Sequence, residues 1–175
     1  MGILSSTETP PSPAASEGVG PKAKSVIAAI NQAGIKSSNA DRAAKTITAN
    51  NIANFFPVVV SSITAAAMQL MTCTELLSGM SPDFSAAEQN EIYDAFKGYA
   101  QIHGQFIASV VDKHGIVGSF PGCMFIGSCF LANKTCVGAF TFRVVALLPT
   151  RADDAKSQQE ALDRSLDHAV DVFGP

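Results

Sequence analysis

Tryptophan is absent from the 175 residues, and there are only two tyrosines. That leaves little for carbohydrate stacking or for a tyrosine-rich binding surface. Charge is also scarce: Asp, Glu, Lys and Arg make up 15% of the chain, against ~25% in an ordinary soluble domain. The net charge of −3 and the scattered Lys and Arg argue against nucleic acid as a partner, because such a binder needs a basic stripe to release counterions. Asn-Gly and Asp-Gly hairpin signals are missing, as is any useful run of apolar and polar alternation, which excludes a strand-rich fold. The four cysteines show no C-x-x-C spacing, and His103, His114 and His168 are far apart. Neither pattern is that of a metal or redox site. No G-x-S-x-G elbow, Walker loop or G-x-G-x-x-G is present. The sequence therefore reads as a non-enzyme that implies no cofactor and no metal.

Apolar residues are what the chain has in quantity: 47% of its length, with a mean hydropathy of +0.21. That value points to apolar surface or to an apolar cavity. Residues 1–20, "MGILSSTETPPSPAASEGVG", are rich in Pro, Ser, Gly and Thr and read as a disordered arm ahead of a single domain over 21–175. The arm lacks the basic and apolar regions of a signal peptide, and Gly2 and Ser6 fit the loose M-G-x-x-x-[ST] myristoylation pattern.

Helix punctuation recurs along the domain. Pro21 suits a first helical position, with Val26, Ile27 and Ile30 on one face and Gly34 as a stop. A polar, alanine-rich segment over 39–54 predicts a second helix. Pro57 opens a third, with Val59, Ile63, Ala66, Leu70, Cys73 and Leu77 at helical spacing. Ser85 with Glu88 forms a capping box, followed by Ile92, Phe96, Tyr99, His103, Phe106 and Val110 and a stop at Gly115. Pro121 to Leu148 predicts a fifth helix. Thr150 with Asp153 predicts a second capping box and a sixth helix with Ala155, Leu162, Leu166, Ala169 or Val170, and Phe173 inward. The fold class is all-α: a single-domain, up-and-down bundle of about five or six helices.

Two uncharged tracts, Thr46 to Thr74 and Gly115 to Asn133, are long enough to test as membrane spans. Frequent Asn, Ser, Thr and Gln, with Pro57 and Pro121 inside them, favour core helices and no transmembrane segment. Cys123, Cys129 and Cys136 fall six and seven residues apart on one predicted helix, ~9 and ~10.5 Å along its axis. That is too far for a disulfide, so buried free thiols are expected, with at most one bridge, through Cys73. His103, on an apolar stripe, reads as a core histidine hydrogen-bonded to a neighbour. Asn133-Lys134-Thr135 is a glycosylation sequon inside a predicted helix.

The strings "YDAFKGYAQIHGQFIASVVDKHGIVGSFP" and "ALLPTRADDAKSQQEALDRSLDHAVDVF", with an apolar helix between them, resemble the fungal family of hydrophobic-surface-binding protein A and cell-wall galactomannoproteins. The Lys-His-Gly turn and the L-x-P-T break are similar to the basidiomycete branch, and the resemblance covers residues 24–173 or so. It implies a secreted or wall-associated helical bundle that binds hydrophobic surfaces or holds a fatty acid between its helices. This chain departs from the family in its polar N-terminal helices and in the three cysteines of its fifth helix.

Combining residues and resemblance, the expected function is non-enzymatic binding of fatty-acid-like lipids or hydrophobic surfaces. The expected lining is Met68, Met71, Phe96, Tyr99, Phe106, Met124, Phe125, Phe130 and Phe140, since methionines and aromatics adapt to irregular apolar ligands. Gly122, Gly127 and Ser128 permit close helix approach or leave space. The expected partner is a hydrophobic small molecule or an apolar surface, and homo-oligomers are allowed. The alternative is an intracellular helical interaction module tethered to a membrane by N-myristoylation at Gly2. Localisation follows: extracellular or cell wall if Met1 and Gly2 are a cloning remnant, otherwise cytoplasmic or at a membrane surface.

Overall fold

The structure, a computed structural model, describes residues 18–118 and 122–174, without the side chain of Ile52. Residues 1–17 of the expected arm, with Gly2 and Ser6, and Pro121 lie outside the described residues. Within them the chain is helical with no strand: α1 (Pro21–Lys45), α2 (Phe55–Ser78), α3 (Ala86–Val111), α4 (His114–Val117), α5 (Cys123–Ala146) and α6 (Ala152–Phe173). Short 3₁₀ turns, Ala49–Asn54 and Pro149–Arg151, lead into α2 and α6.

Five long helices do the packing. α1 packs on α2 and α3, α2 on α5, α5 on α6, and α6 on α3, which closes a ring in the order α1–α2–α5–α6–α3. Side-chain pairs set the directions. Glu88 meets Gly20, His103 meets Ser37, Ser109 meets Asp41 and Lys113 meets the Ile47 carbonyl, so α1 and α3 run parallel. Lys134 pairs with Asp167 and Phe130 stacks on Phe173, so α5 and α6 run antiparallel. The expected inward stripes of α2, α3 and α6 are all buried, with Ala169 rather than Val170 facing in.

Helix ends follow from local chemistry. The Ser85–Glu88 capping box forms, with the Ser85 hydroxyl accepting from the Glu88 amide at 3.3 Å and the Glu88 carboxylate accepting from the Ser85 amide at 2.9 Å. The same carboxylate accepts from the Gly20 amide at 3.0 Å, tying the start of α1 to the start of α3. These bonds, the Ser85 amide first and the Gly20 amide next, hold the Glu88 carboxyl below its usual pKa.

Several boundaries differ from expectation. Gly34 does not stop α1. It lies on the buried stripe with Ile30, Ala33 and Ser37, where a Cβ would meet Ile102 Cδ1 at 3.8 Å and Tyr99 Cα at 4.0 Å, so it is a contact residue against α3. No separate helix spans 39–54: Asn39–Lys45 is the last part of α1, and the remainder is linker and 3₁₀ turn. Gly115 lies within the one-turn α4, while Asp112 ends α3. Thr150 caps nothing. Its amide and hydroxyl both donate to Gln89 Oε1, at 2.9 and 2.7 Å, and the buried Gln89 thereby staples the α5–α6 corner to α3. Arg151 holds that corner from outside, over the Tyr93 ring at 4.4 Å and 3.1 Å from Asp154.

Two glycines at the start of α5 have distinct work. Gly122 takes φ +97°, a conformation L side chains rarely adopt, against the Phe56 ring. Gly127 lets the end of α6 approach: a Cβ there would fall 2.8 Å from the Phe173 carbonyl oxygen. Ser128 is exposed and takes no part in this approach.

Candidate functional site

A ring of five helices is wider inside than a bundle of four. With helices ~10 Å apart, each axis sits ~8.5 Å from the centre, against ~7 Å for four, and the middle needs large side chains or a ligand to fill it. α3 supplies most of that filling. Phe96, Tyr99, His103 and Phe106 recur at steps of three and four and are all buried. Tyr99 stacks on His103 at 5.4 Å between centroids, and His103 meets Phe106 at 5.9 Å. Phe140 from α5 meets Tyr99 edge-on at 5.1 Å and Phe96 at 6.3 Å. Phe130 stacks with Phe173 at 6.2 Å, against the end of α6.

Into this aromatic interior the chain places a polar group of residues. Ser37 and Asn133, from α1 and α5, are buried and grip the imidazole from both sides. Ser37 Oγ donates to the Ala33 carbonyl at 3.0 Å and lies 2.8 Å from His103 Nδ1. With the hydroxyl proton spent on Ala33, Nδ1 carries the hydrogen and donates to Ser37. Nε2 is then the acceptor that Asn133 Nδ2 requires at 3.1 Å. Burial disfavours the cation and pushes the His103 pKa down to about 4. Two atoms of the group are left without partners: Asn133 Oδ1 and the Tyr99 hydroxyl. Burial, with Cys73 and Cys136 close by, pushes the Tyr99 pKa well up.

The expected lining residues divide between two places. Phe96, Tyr99, Phe106, Phe130 and Phe140 come together in the interior. Met68, Met71, Met124 and Phe125 do not: each is more than half exposed, on the outer faces of α2 and α5. The reason is angular, because the buried stripe of α2 through Ile63, Ala66, Leu70 and Cys73 leaves Met68 and Met71 on its other side. Phe125 packs on Phe56, at 5.7 Å. Ser37 and Asn133 were missed, yet both carried a signal, being polar residues at helical spacing on otherwise apolar stripes. The sequon is occluded, since Asn133 is wholly buried.

All four cysteines are free thiols: the spacing excluded bridges among Cys123, Cys129 and Cys136, and the bridge through Cys73 that it left open is not formed. Burial pushes each of their pKa values up, most simply for Cys123, Cys129 and Cys136. No group of three His, Cys, Asp or Glu among the described residues could hold a metal ion. Outside Tyr99, α1 and α3 leave a cleft of about 470 Å³, lined by Ile30, Gly34, Ile35, Gly98, Tyr99 and Ile102 among others. Helices α2 and α5 are long and apolar enough to cross a membrane by length and composition.

No family model matches the sequence, and no curated protein sequence matches it. Two solved structures share the fold. One is AFMP4P in complex with palmitic acid, with a TM-score of 0.78 and 15% identity, covering 87% of this chain and 99% of that one. Another is ligand binding domain 1 of the Penicillium marneffei MP1 protein complexed with arachidonic acids, with a TM-score of 0.75 and 12% identity, covering 89% of this chain and 98% of that one.

Proposed function

We propose that this bundle binds a fatty-acid-like molecule between its five helices and performs no chemistry on it. The observation that carries the reading is the interior itself: a ring wide enough to need filling, filled by large aromatic side chains, with two buried polar atoms left unpartnered. The shared fold of two proteins solved with palmitic and arachidonic acids supports it. So does the resemblance to the hydrophobic-surface-binding protein A and galactomannoprotein family, which we infer to be related to this chain. We read Phe96, Tyr99, Phe106, Phe130 and Phe140 as the lining, and the cleft over Tyr99 as the way in. α2 and α5 are read as bundle helices, not membrane spans, because each buries a stripe against its ring neighbours.

Native mass spectrometry of gently purified protein, followed by titration with a fluorescent fatty acid, tests the proposal. Co-purifying acyl mass, or saturable uptake at one site per chain, is expected. Strictly apo protein without saturable uptake would refute it.

A second reading rests on a separate observation. The outer faces of the adjacent helices α2 and α5 expose Met68, Met71, Leu76, Met124, Phe125, Leu131 and Phe142, and the two helices together carry only Glu75, Lys134 and Arg143 as charges. Such a band suits adsorption to an apolar surface. Lysine at Met71 and Phe142 should then reduce adsorption to alkyl-coated beads while leaving fatty-acid uptake unchanged. Unaltered adsorption would remove this face from consideration.

A further inference from the structure

The acyl reading leaves the head group unspecified, and the polar atoms at the ring's centre constrain it. Resting on that reading, we propose that the Tyr99–His103–Asn133 group selects an acyl ligand whose head is uncharged and carries an O–H donor, a primary alcohol or a protonated carboxylic acid.

The first argument is charge. Among the described residues the buried polar side chains are Ser37, Asp41, Gln89, His103, Ser109, Asn133 and Thr141, and none of them is a cation. The groups facing the centre can be taken helix by helix. α1 offers Ser37, and Asp41, which is already held by Lys45 and by the Ser109 hydroxyl at 2.7 and 2.6 Å. α2 offers the Cys73 thiol, α3 Tyr99 and His103, and α5 Asn133, Cys136 and Thr141, while every buried residue of α6 is apolar. A carboxylate placed here would lose its water and meet no positive partner, and an uncompensated buried charge is among the costliest arrangements in a protein.

Donor count is the second argument. With Nδ1–H given to Ser37 and Nε2 accepting from Asn133, the imidazole is fully used, and the Asn133 amide is fixed with its nitrogen toward the ring. Its Oδ1 is an acceptor without a donor, and the Tyr99 hydroxyl has neither donor nor acceptor. A ligand hydroxyl supplies what Oδ1 lacks, and its oxygen can accept from Tyr99. An ester supplies no donor and an ionised acid supplies none either. Of these heads, the neutral hydroxylic one offers both the donor and the acceptor.

The test uses the whole chain and labelled hexadecanol, hexadecanoic acid and methyl hexadecanoate, with bound ligand separated by gel filtration at pH 5.5 and 8.5. Hexadecanol should bind equally at both pH values, which checks the protein's own groups. Hexadecanoic acid should approach it at pH 5.5 and fall by tenfold or more at 8.5, and the methyl ester should bind about tenfold more weakly throughout. Asn133→Leu should bring hexadecanol down to the level of the ester and leave the ester where it was, whereas Tyr99→Phe, which removes a donor that either head can use, should weaken both. Tyr99→Phe deletes only an unpartnered hydroxyl, so it provides a folded variant if Asn133→Leu disrupts the core. The inference is overturned if ester and alcohol bind alike, if the acid falls no further than the alcohol at pH 8.5, if a folded Asn133→Leu keeps the alcohol–ester difference, or if Tyr99→Phe leaves alcohol binding unchanged. Absence of binding by all three ligands would instead refute acyl binding itself, and the head-group assignment with it.

Discussion

His103 should make the protein sensitive to mild acid, and the size of the effect can be worked out. In the unfolded chain an ordinary histidine takes up a proton near pH 6.5, whereas in the folded ring burial holds His103 down at about 4. Between those values the unfolded state binds the extra proton and the native state does not, so stability falls as pH falls. The contribution is fully present above about pH 6.5 and is lost as pH drops toward 4. Each tenfold difference in proton affinity is worth about 1.4 kcal/mol, so the whole interval carries roughly 3 kcal/mol. Urea unfolding at pH 7.5, 6, 5 and 4.5, in the native protein and in His103→Gln, isolates this term, because carboxylates such as Glu88 titrate alike in both. The native protein should lose about 2 to 3 kcal/mol more than the variant across that range. Parallel pH profiles would refute the assignment of His103 as a neutral, solvent-free core residue.

Four further outcomes follow from particular contacts. Gly127→Ala should destabilise by about 1–3 kcal/mol in thermal or urea unfolding, because its Cβ would meet backbone atoms of Phe173, while Gly138→Ala on the same helix meets nothing within 4 Å and should gain up to ~1 kcal/mol; equal responses would refute the α5–α6 contact. Phe130→Ala leaves a cavity costing ~3–5 kcal/mol if the interior is a dry core, whereas a smaller loss with a shifted preference in acyl chain length, read by lipid titration, marks it as lining. Gly98→Leu fills the cleft outside Tyr99, where a Cβ has open space, and should slow acyl uptake in stopped-flow fluorescence without lowering the melting temperature. Tyr99→Phe should raise the melting temperature of apo protein by a few degrees, since it removes a buried hydroxyl that has no partner.

The fold was largely legible because its helices carry strong local signals. The stripe from Ile92 to Val110 and the box at Ser85 predicted α3 without any tertiary knowledge, and the α2 and α6 stripes were equally plain. Errors fell where tertiary contact overrides a local habit. Gly34 looks like a stop in one dimension, yet it is a contact surface when α3 lies parallel alongside, and Thr150 finds the Gln89 amide before it can cap a helix. The candidate site was half legible. Periodicity identifies which aromatics share α3's inner face, but α5 has long uncharged stretches all round, so Met124 and Phe125 could not be told from Ile126 and Phe130. Asn133 and Ser37 needed the opposite question, which polar residue interrupts an apolar stripe.

That question also bears on the proposed ligand site as against a dry core. A protein selected only for stability would close the ring with Leu and Phe, since each buried polar atom without a partner costs about 1–3 kcal/mol. This chain instead spends three side chains, Ser37, His103 and Asn133, on fixing one imidazole in one tautomer. The same network leaves Asn133 Oδ1 and the Tyr99 hydroxyl unpartnered beside it. Rigid polar groups with unspent hydrogen-bonding capacity have the character of a recognition site: their orientation is set before a ligand arrives, and a ligand that pairs them recovers the cost they impose on the empty protein. A ligand hydroxyl should therefore stabilise the native chain by more than its buried hydrocarbon alone accounts for, and that excess should shrink in Tyr99→Phe.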